Sequence, residues 1–198
     1  MKRLLIVTAL LSSLLASGSS VAQQEERHEG HAQPCPHPTK LVLHAANPVT
    51  YDPSDFIPSQ IALLTSSQPL TINQTQINKA FAYTFKLPGS PKECCLWKEG
   101  SLTVTIKALQ AGPPGSATSA NDSVSVVSSA STASNKLAVG WSPSPFAAGA
   151  TLGEIKTHTF VIPAYVLDTG HVSFIMQDDS ALVSAVLTVE GCCLHDRK

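Results

Sequence analysis

Apolar and polar residues alternate with a period of two in the second half of the chain, which is typical of half-buried β-strands. The clearest example is segment 102–108, where apolar residues occupy every second position between threonines and a lysine. Three more such segments close the chain, at 157–163, 171–177 and 181–190. Weaker patterns predict further strands at 123–129 and 136–141, on either side of a bend rich in Ser and Ala.

The first half of the chain is divided into short pieces by proline and glycine turn signals. We expect short strands at 41–44, 61–65, 69–78 and 81–87, with the strongest pattern over 77–85. A short helix over 55–64 is the alternative for the second piece, with Pro58 confined to its first turn. Because helices do not alternate with the strands, the pattern predicts an all-β fold, namely an antiparallel β-sandwich of the jelly-roll type.

The N-terminus has the pattern of a secretory signal peptide. Lys2 and Arg3 precede an apolar run at 4–15, and Ser20 and Ala22 occupy the minus-three and minus-one positions of a cleavage site. A retained anchor would need about 20 continuous apolar residues, and serines interrupt this run. We therefore expect cleavage, a mature chain without a membrane span, and a periplasmic or extracellular location.

Composition and charge narrow the classes of function. Of the 198 residues, 43% are hydrophobic and 14% are charged, which suits a single core. Thirteen basic residues against 14 acidic residues give a formal net charge of −1. No basic cluster follows the N-terminus, so we do not expect nucleic-acid binding.

These features together divide the chain into four parts. Residues 1–22 are predicted to be the signal peptide, 23–39 a flexible arm rich in His, Pro and Cys, 40–193 a single β-sandwich domain, and 194–198 a polar tail. Prolines at 34, 36 and 38 exclude a regular helix or a central strand from the arm.

Five cysteines in a chain with an export signal favour disulfides. Cys94-Cys95 precedes the first strong strand and Cys192-Cys193 follows the last, so bridges between these pairs would close a loop of about 98 residues, worth roughly 4–5 kcal/mol. Because Cys193 is in phase with the apolar positions of the last strand, we expect it to form the inner of two bridges. Capture of one of the four by Cys35 is the alternative, and an odd cysteine remains in either case.

The arm contains candidate ligands for a soft metal. His28, His31, Cys35 and His37 lie within ten residues, and their imidazole and thiolate groups suit zinc or copper. The spacing is less regular than that of most structural zinc sites. Solvated histidines in an exported arm are therefore the alternative interpretation.

A second set of candidate ligands lies in two predicted turns. Asn121-Asp122 precedes a strand, and Asp178-Asp179 joins the last two strands. If the two turns converge, their oxygens could bind calcium. The alternative is that these residues form turns by bonding to their own backbone. The sequence shows no need for a cofactor beyond these candidate metals.

The sequence offers weak support for catalysis. Asp168, His171 and Ser173 lie close together, but no glycine-flanked serine marks a nucleophile elbow. Five aromatic residues could stack on sugar rings, although most are expected in core or loop packing: Tyr51, Tyr83, Trp97, Trp141 and Tyr165.

The leading prediction is therefore an exported, non-catalytic binding or structural module, stabilised by disulfides and by calcium if the turns bind it. Its expected partner is an extracellular macromolecule or a polysaccharide. The second hypothesis is a periplasmic zinc- or copper-handling protein that uses the arm. The third is a secreted hydrolase with a dispersed site.

Overall fold

The computed structural model describes residues 38–88, 95–116 and 122–193, and this part of the chain is mostly β-structure. Its helical elements are a 3-10 turn, η1 (Pro53–Asp55), and the short helices α1 (Pro58–Ser66) and α2 (Ala164–Leu167). The strands are β1 (Pro38–His44), β2 (Phe81–Lys86), β3 (Cys95–Ala108), β4 (Ser123–Val127), β5 (Leu137–Gly140), β6 (Ile155–Val161), β7 (His171–Gln177) and β8 (Ser180–Cys193).

The strands form two four-stranded sheets in which the paired strands are antiparallel. Sheet A has the order β1-β8-β3-β6, and sheet B has the order β2-β7-β4-β5. The longest pairing joins β3 to β8, two strands of 14 residues each, from Cys95 opposite Cys193 to Ala108 opposite Ser180. The strand predicted at 102–108 therefore forms the middle of sheet A.

Side chains from the facing sides of both sheets pack into one apolar core, so the architecture is a β-sandwich. Sheet A contributes Leu102 and Leu187, and sheet B contributes Phe81 and Phe174, all of which are buried. The predicted all-β antiparallel sandwich is confirmed at this level of detail.

The outer face of sheet B is covered as well, by residues 49–70, which we call the cover segment. A second apolar cluster lies beneath it and contains Phe56 and Leu64 of the cover segment together with Ile175 of β7. Because β7 is covered on both faces, its five central residues are all buried. A strand covered on both faces carries a continuous apolar run rather than an alternating pattern.

Two of the predicted strands are wrong. Segment 61–65 lies within α1, where Pro58 occupies the first turn and Ile61 and Leu64 pack on the second cluster. Segment 69–78 consists of turns, because Asn73 and Asn78 have positive φ angles of 61° and 54°, which interrupt an extended strand. Among the described residues, no helix is both long enough and apolar enough to cross a membrane.

The first strand begins earlier than predicted. Pro38 and Thr39, assigned to the arm, belong to β1, and Pro38 pairs with Cys192. Proline is tolerated there because β1 is an edge strand, where an amide facing away from the sheet has no partner to lose.

Gly191 of β8 lies opposite Trp97 of β3, and the close approach of the two strands at this point is expected to require glycine. A Cβ atom there would collide with the Leu96 carbonyl oxygen and would lie 2.8 Å from the Trp97 Cα, both of which are backbone atoms. We expect Gly191→Ala to lower the free energy of unfolding by about 1–3 kcal/mol, measured by urea denaturation. Gly140→Ala is the matched control, since its Cβ would meet only ordinary contacts at 3.4 Å or more. Equal unfolding midpoints for the two variants would contradict this account.

Candidate functional site

Asp55 carries a carboxylate that is fully shielded from solvent. It is the last residue of η1, a turn that the local sequence specifies well. Pro53 supplies a φ angle suited to the first position, and the side chain of Asp52 accepts a hydrogen bond of 2.9 Å from the Ser54 amide. The turn thereby directs the Asp55 side chain toward sheet B.

Three groups from sheet B and its loops contact the Asp55 carboxylate. Oδ2 accepts a hydrogen bond of 2.6 Å from Ser173 Oγ and lies 2.7 Å from His171 Nε2. Oδ1 accepts a hydrogen bond of 2.8 Å from the Ser129 amide. The contact with His171 is an ion pair rather than a well-aligned hydrogen bond. One carboxylate therefore ties the cover segment to β7 and to the loop after β4.

These contacts shift the pKa values of both partners. Burial opposes ionisation of Asp55, but the contacts with His171, Ser173 and the Ser129 amide outweigh it and hold the pKa of Asp55 below its usual value. The contact with Asp55 raises the pKa of His171, against the opposing effect of burial. Both groups are therefore charged at mildly acidic pH.

A chain of hydroxyl groups extends this cluster to β2. Since the Ser173 hydroxyl proton is donated to Asp55, Thr84 must donate in the 2.7 Å bond between Thr84 Oγ1 and Ser173 Oγ. Thr84 Oγ1 in turn accepts a bond of 2.8 Å from the Asp52 amide. The side chains of Asp55 and Ser173 are thus fully hydrogen-bonded within the protein, as buried polar groups usually are.

Ser173 and His171 are not arranged as a nucleophile and its general base. Ser173 is buried and donates to a carboxylate rather than to His171, whose Nε2 also faces Asp55. A serine needs a base within hydrogen-bond reach to become a nucleophile. Asp168, the acid suggested by the sequence, is exposed at the end of α2. The acid that contacts His171 and Ser173 is Asp55 instead.

The two turns proposed as calcium ligands do converge. Asp122 is buried and accepts a hydrogen bond from Ser180 Oγ, directly after the Asp178-Asp179 turn. Asp179 accepts a bond of 3.1 Å from the Asn78 amide. Within residues 38–88, 95–116 and 122–193, no group of three or more His, Cys, Asp or Glu side chains is placed to hold a metal ion.

Ionisation of Asp122 is unfavourable in this cluster. Burial and the neighbouring carboxylates of Asp178 and Asp179 raise the pKa of Asp122 to about 6. Asp178 occupies the turn with a φ angle of 88°, as the turn-forming interpretation requires. Asn121, the fourth candidate ligand, lies outside the described residues, and the calcium site stays a prediction.

Other candidate ligands also lie outside the described residues, so their roles stay predictions too. They are His28, His31, Cys35 and His37 of the arm. The disulfide candidate Cys94 also lies outside the described residues.

Most of the aromatic residues pack within the protein. Trp97 is buried in the core. Three others pack on an aromatic neighbour, with the distances given between ring centres: Tyr51 on Phe56 at 5.4 Å, Tyr83 on Phe85 at 4.9 Å and Trp141 on His158 at 4.8 Å. Tyr165 is 41% exposed. Trp97 is therefore not exposed for stacking on a sugar ring, and the rings of Tyr51, Tyr83 and Trp141 pack on neighbours within the protein.

A surface pocket of about 270 Å³ is built mainly by the turns between α1 and β2. Its lining is dominated by uncharged hydroxyl and amide side chains, namely those of Ser67, Thr71, Asn73, Gln74, Thr75 and Gln76. Lys79 also lines the pocket, but its ammonium group donates to the Ser66 carbonyl at 3.2 Å. We call this feature the amide pocket.

A second surface pocket, of about 370 Å³, lies on the outer face of sheet A. Its lining includes Lys98, Glu99 and Glu190, so it carries more charged groups than the amide pocket, which Lys79 lines. Comparison of the chain with protein-family models and with curated proteins gave no match.

Asp55 was not among the residues that the sequence singled out. One signal was present, because His171 and Ser173 place two polar groups on the same face of an otherwise apolar strand. Such a pair indicates a buried polar partner. The identity of that partner could not be predicted, since Asp55 lies 118 positions from Ser173.

Asp55→Ala is expected to lower the free energy of unfolding by about 3–5 kcal/mol, because it leaves a half-buried imidazolium and two other donors without their partner. Urea denaturation followed by tryptophan fluorescence measures the loss. Asp168→Ala, at an exposed carboxylate, is the matched control and is expected to change stability by no more than about 0.5 kcal/mol. Similar losses of unfolding free energy in the two variants would show that the buried Asp55 carboxylate stabilises the fold no more than an exposed carboxylate does.

The raised pKa values predict a fold that loses stability as the pH rises. Between pH 3.8 and about 6, the folded state holds more protons on Asp122 than the unfolded chain does, so stability falls through that range. The contribution of His171 is complete below pH 6.5 and is lost as the pH rises through its higher folded value.

Asp122→Asn is expected to remove the loss of stability between pH 3.8 and about 6. The amide oxygen of the substituted side chain can still accept a hydrogen bond from Ser180, but this side chain carries no charge at any pH. Urea denaturation at about pH 4 and about pH 7 compares the variant with the wild type. Asp168→Asn serves as the control carboxylate. A variant D122N whose stability falls between these pH values as much as the wild type would refute the assignment.

Proposed function

We propose that this protein is an exported, non-catalytic β-sandwich that binds a neutral, hydroxyl-rich macromolecule such as an extracellular polysaccharide. The observation that carries the proposal is the chemistry of the amide pocket. Ser67 and Gln74 are hydrogen-bonded within the protein, but the exposed side chains of Thr71, Asn73, Thr75 and Gln76 can both donate and accept hydrogen bonds. This is the pairing that sugar hydroxyls offer. A charged or strongly apolar ligand would find few matching groups there.

The non-catalytic part of the proposal rests on the buried cluster around Asp55. The Ser173 hydroxyl is committed to Asp55 and Thr84, and it is buried beneath the cover segment. The secreted hydrolase is therefore the weakest of the three hypotheses.

The finer description of the fold as a jelly roll is part of the proposal. In the order β1-β8-β3-β6 against β2-β7-β4-β5, six of the seven connections between consecutive strands cross from one sheet to the other. Eight strands arranged in two such sheets support a jelly roll, which consists of two Greek keys.

Export and disulfide fastening are proposed together. The apolar run at the N-terminus supports export. Disulfides at Cys95 and Cys192 are part of the proposal, and they would suit an oxidising compartment. The register places Cys95 opposite Cys193 and Leu96 opposite Cys192. This supports bridges that join the start of β3 to the end of β8.

Zinc or copper handling by the arm is the alternative function. It rests on the sequence of residues 28–37 alone, and binding of either metal by the exported chain would support it. In either case, calcium bound near Asp122 would act as a stabilising ion.

Retention on polysaccharides tests the proposed function. The exported chain is applied to a panel of insoluble neutral and acidic polysaccharides, and the bound fraction is measured. We expect retention on a neutral polysaccharide and a loss of at least about tenfold in affinity for the variant T71A/Q76A, which removes two exposed hydrogen-bonding groups from the amide pocket. Thr188→Ala, in the charged pocket, is the matched control and is expected to bind normally.

Two results would overturn the proposed function. One is a lack of retention on every polysaccharide of the panel. The other is retention that T71A/Q76A leaves unchanged and T188A abolishes, which would move binding to the outer face of sheet A.

A further inference from the structure

The two edges of sheet A are protected to different degrees. At β1, the edge carries Pro38 and Lys40, two residue types that discourage pairing with another strand. At the other edge, β6 contains no proline, and its Ile155 and Val161 are 59% and 78% exposed. In the part of the chain that the structure describes, β6 pairs with β3 on one side and with no strand on the other.

The backbone of β6 offers four residues for pairing at this edge. At either end of the β3–β6 pairing, the Ile162 amide donates to Gly100 and the Glu154 carbonyl accepts from Ala108. Because hydrogen-bonded and non-hydrogen-bonded pairs alternate in antiparallel strands, the even-numbered residues of β6 direct their backbone groups toward β3. The odd-numbered residues 155, 157, 159 and 161 therefore direct theirs outward.

The same four residues form a self-complementary side-chain pattern. Along β6 they read Ile155, Thr157, Thr159 and Val161, which is apolar, Thr, Thr, apolar in either direction. In an antiparallel pair of two β6 strands centred on His158, each Thr157 lies opposite a Thr159 and each Ile155 lies opposite a Val161. All four of these cross-strand pairs join residues with outward backbone groups.

Other registers lack this match. A pair centred on Thr157 would place Ile155 opposite Thr159, and a pair centred on Thr159 would place Val161 opposite Thr157. The molecule already uses the favoured type of pairing on its other side. There, Thr159 contacts Thr103 and Thr157 contacts Thr105, with hydroxyl oxygens 2.9 and 3.0 Å apart.

The charged residue of β6 does not obstruct its edge. Lys156 lies on the inner face of the strand, with its ammonium group 3.4 Å from the Glu154 carboxylate and 5.0 Å from the centre of the Phe146 ring. Its charge is thus engaged within the molecule. His158, at the centre of the pattern, is held by stacking on Trp141.

We propose that two copies of this chain associate through β6, in an antiparallel pair centred on His158 that joins two A sheets into one continuous eight-stranded sheet. The interface is isologous, because a two-fold axis relates the two identical strands. Backbone hydrogen bonds supply the association, and the Ile155–Val161 and Thr157–Thr159 contacts fix its register.

Charge substitutions across the proposed axis test both association and register. In I155K/V161K, lysines lie opposite lysines of the second copy, whereas in I155K/V161E each lysine lies opposite a glutamate. Within one chain, positions 155 and 161 are about 20 Å apart, so their interaction arises only between copies. Val42→Lys is the matched control, since Val42 is 46% exposed at the opposite edge of sheet A.

Sedimentation velocity on the full exported chain, over a concentration series, measures the association, and a non-reducing gel identifies any covalent dimer. We expect the wild type, V42K and I155K/V161E to reach twice the chain mass, and I155K/V161K to remain at the mass of one chain. Circular dichroism confirms that each variant is folded.

Three outcomes would overturn the proposal. They are a wild type that remains monomeric throughout the series, I155K/V161K that associates as strongly as the wild type, and V42K that dissociates like I155K/V161K. If I155K/V161E also remains monomeric, the proposed register is wrong. None of these outcomes depends on whether a polysaccharide is bound.

Discussion

The buried carboxylate of Asp55 is the interaction on which the outer layer above sheet B depends. An ionised carboxylate in an apolar interior is costly unless donors surround it. His171, Ser173 and the Ser129 amide provide those donors. These contacts attach η1 to sheet B, and the adjacent Phe56 packs in the second apolar cluster. The polar contact thus gives the cover segment its position, and the apolar contacts beneath it supply much of its stability.

The same contact connects packing to function. A hydroxyl that completes the coordination of a buried carboxylate is not available to attack a substrate, so the polar residues of β7 serve the fold. Within the described residues, the surfaces open to interaction include the amide pocket beside the cover segment and the open face and edge of sheet A. The proposed function accordingly assigns recognition to groups on the surface.

The sequence predicted the sandwich well where each strand has one buried face. Alternation at 102–108, in β6 and in β8 reports such burial directly. β7 is covered on both faces, and its predicted bounds are nevertheless those of the structure. The predicted strand at 61–65 was wrong, because this segment packs on the second apolar cluster as part of α1, and the short helix given as its alternative is what the structure has. The prediction also failed at 69–78, where Asn73 and Asn78 interrupt the strand through local backbone geometry. The candidate site was predicted in part, since His171 and Ser173 were found but Asp55 requires the tertiary contacts.

The central claim is that His171 is held as a charged partner of Asp55. The most direct measurement is an NMR titration of the His171 imidazole in the folded wild-type protein, assigned with the variant H171N. The account predicts a pKa above the ordinary value of 6.5, because the buried carboxylate stabilises the protonated ring. A pKa at or below that value would show that the pair is not ionised as described and would contradict the account.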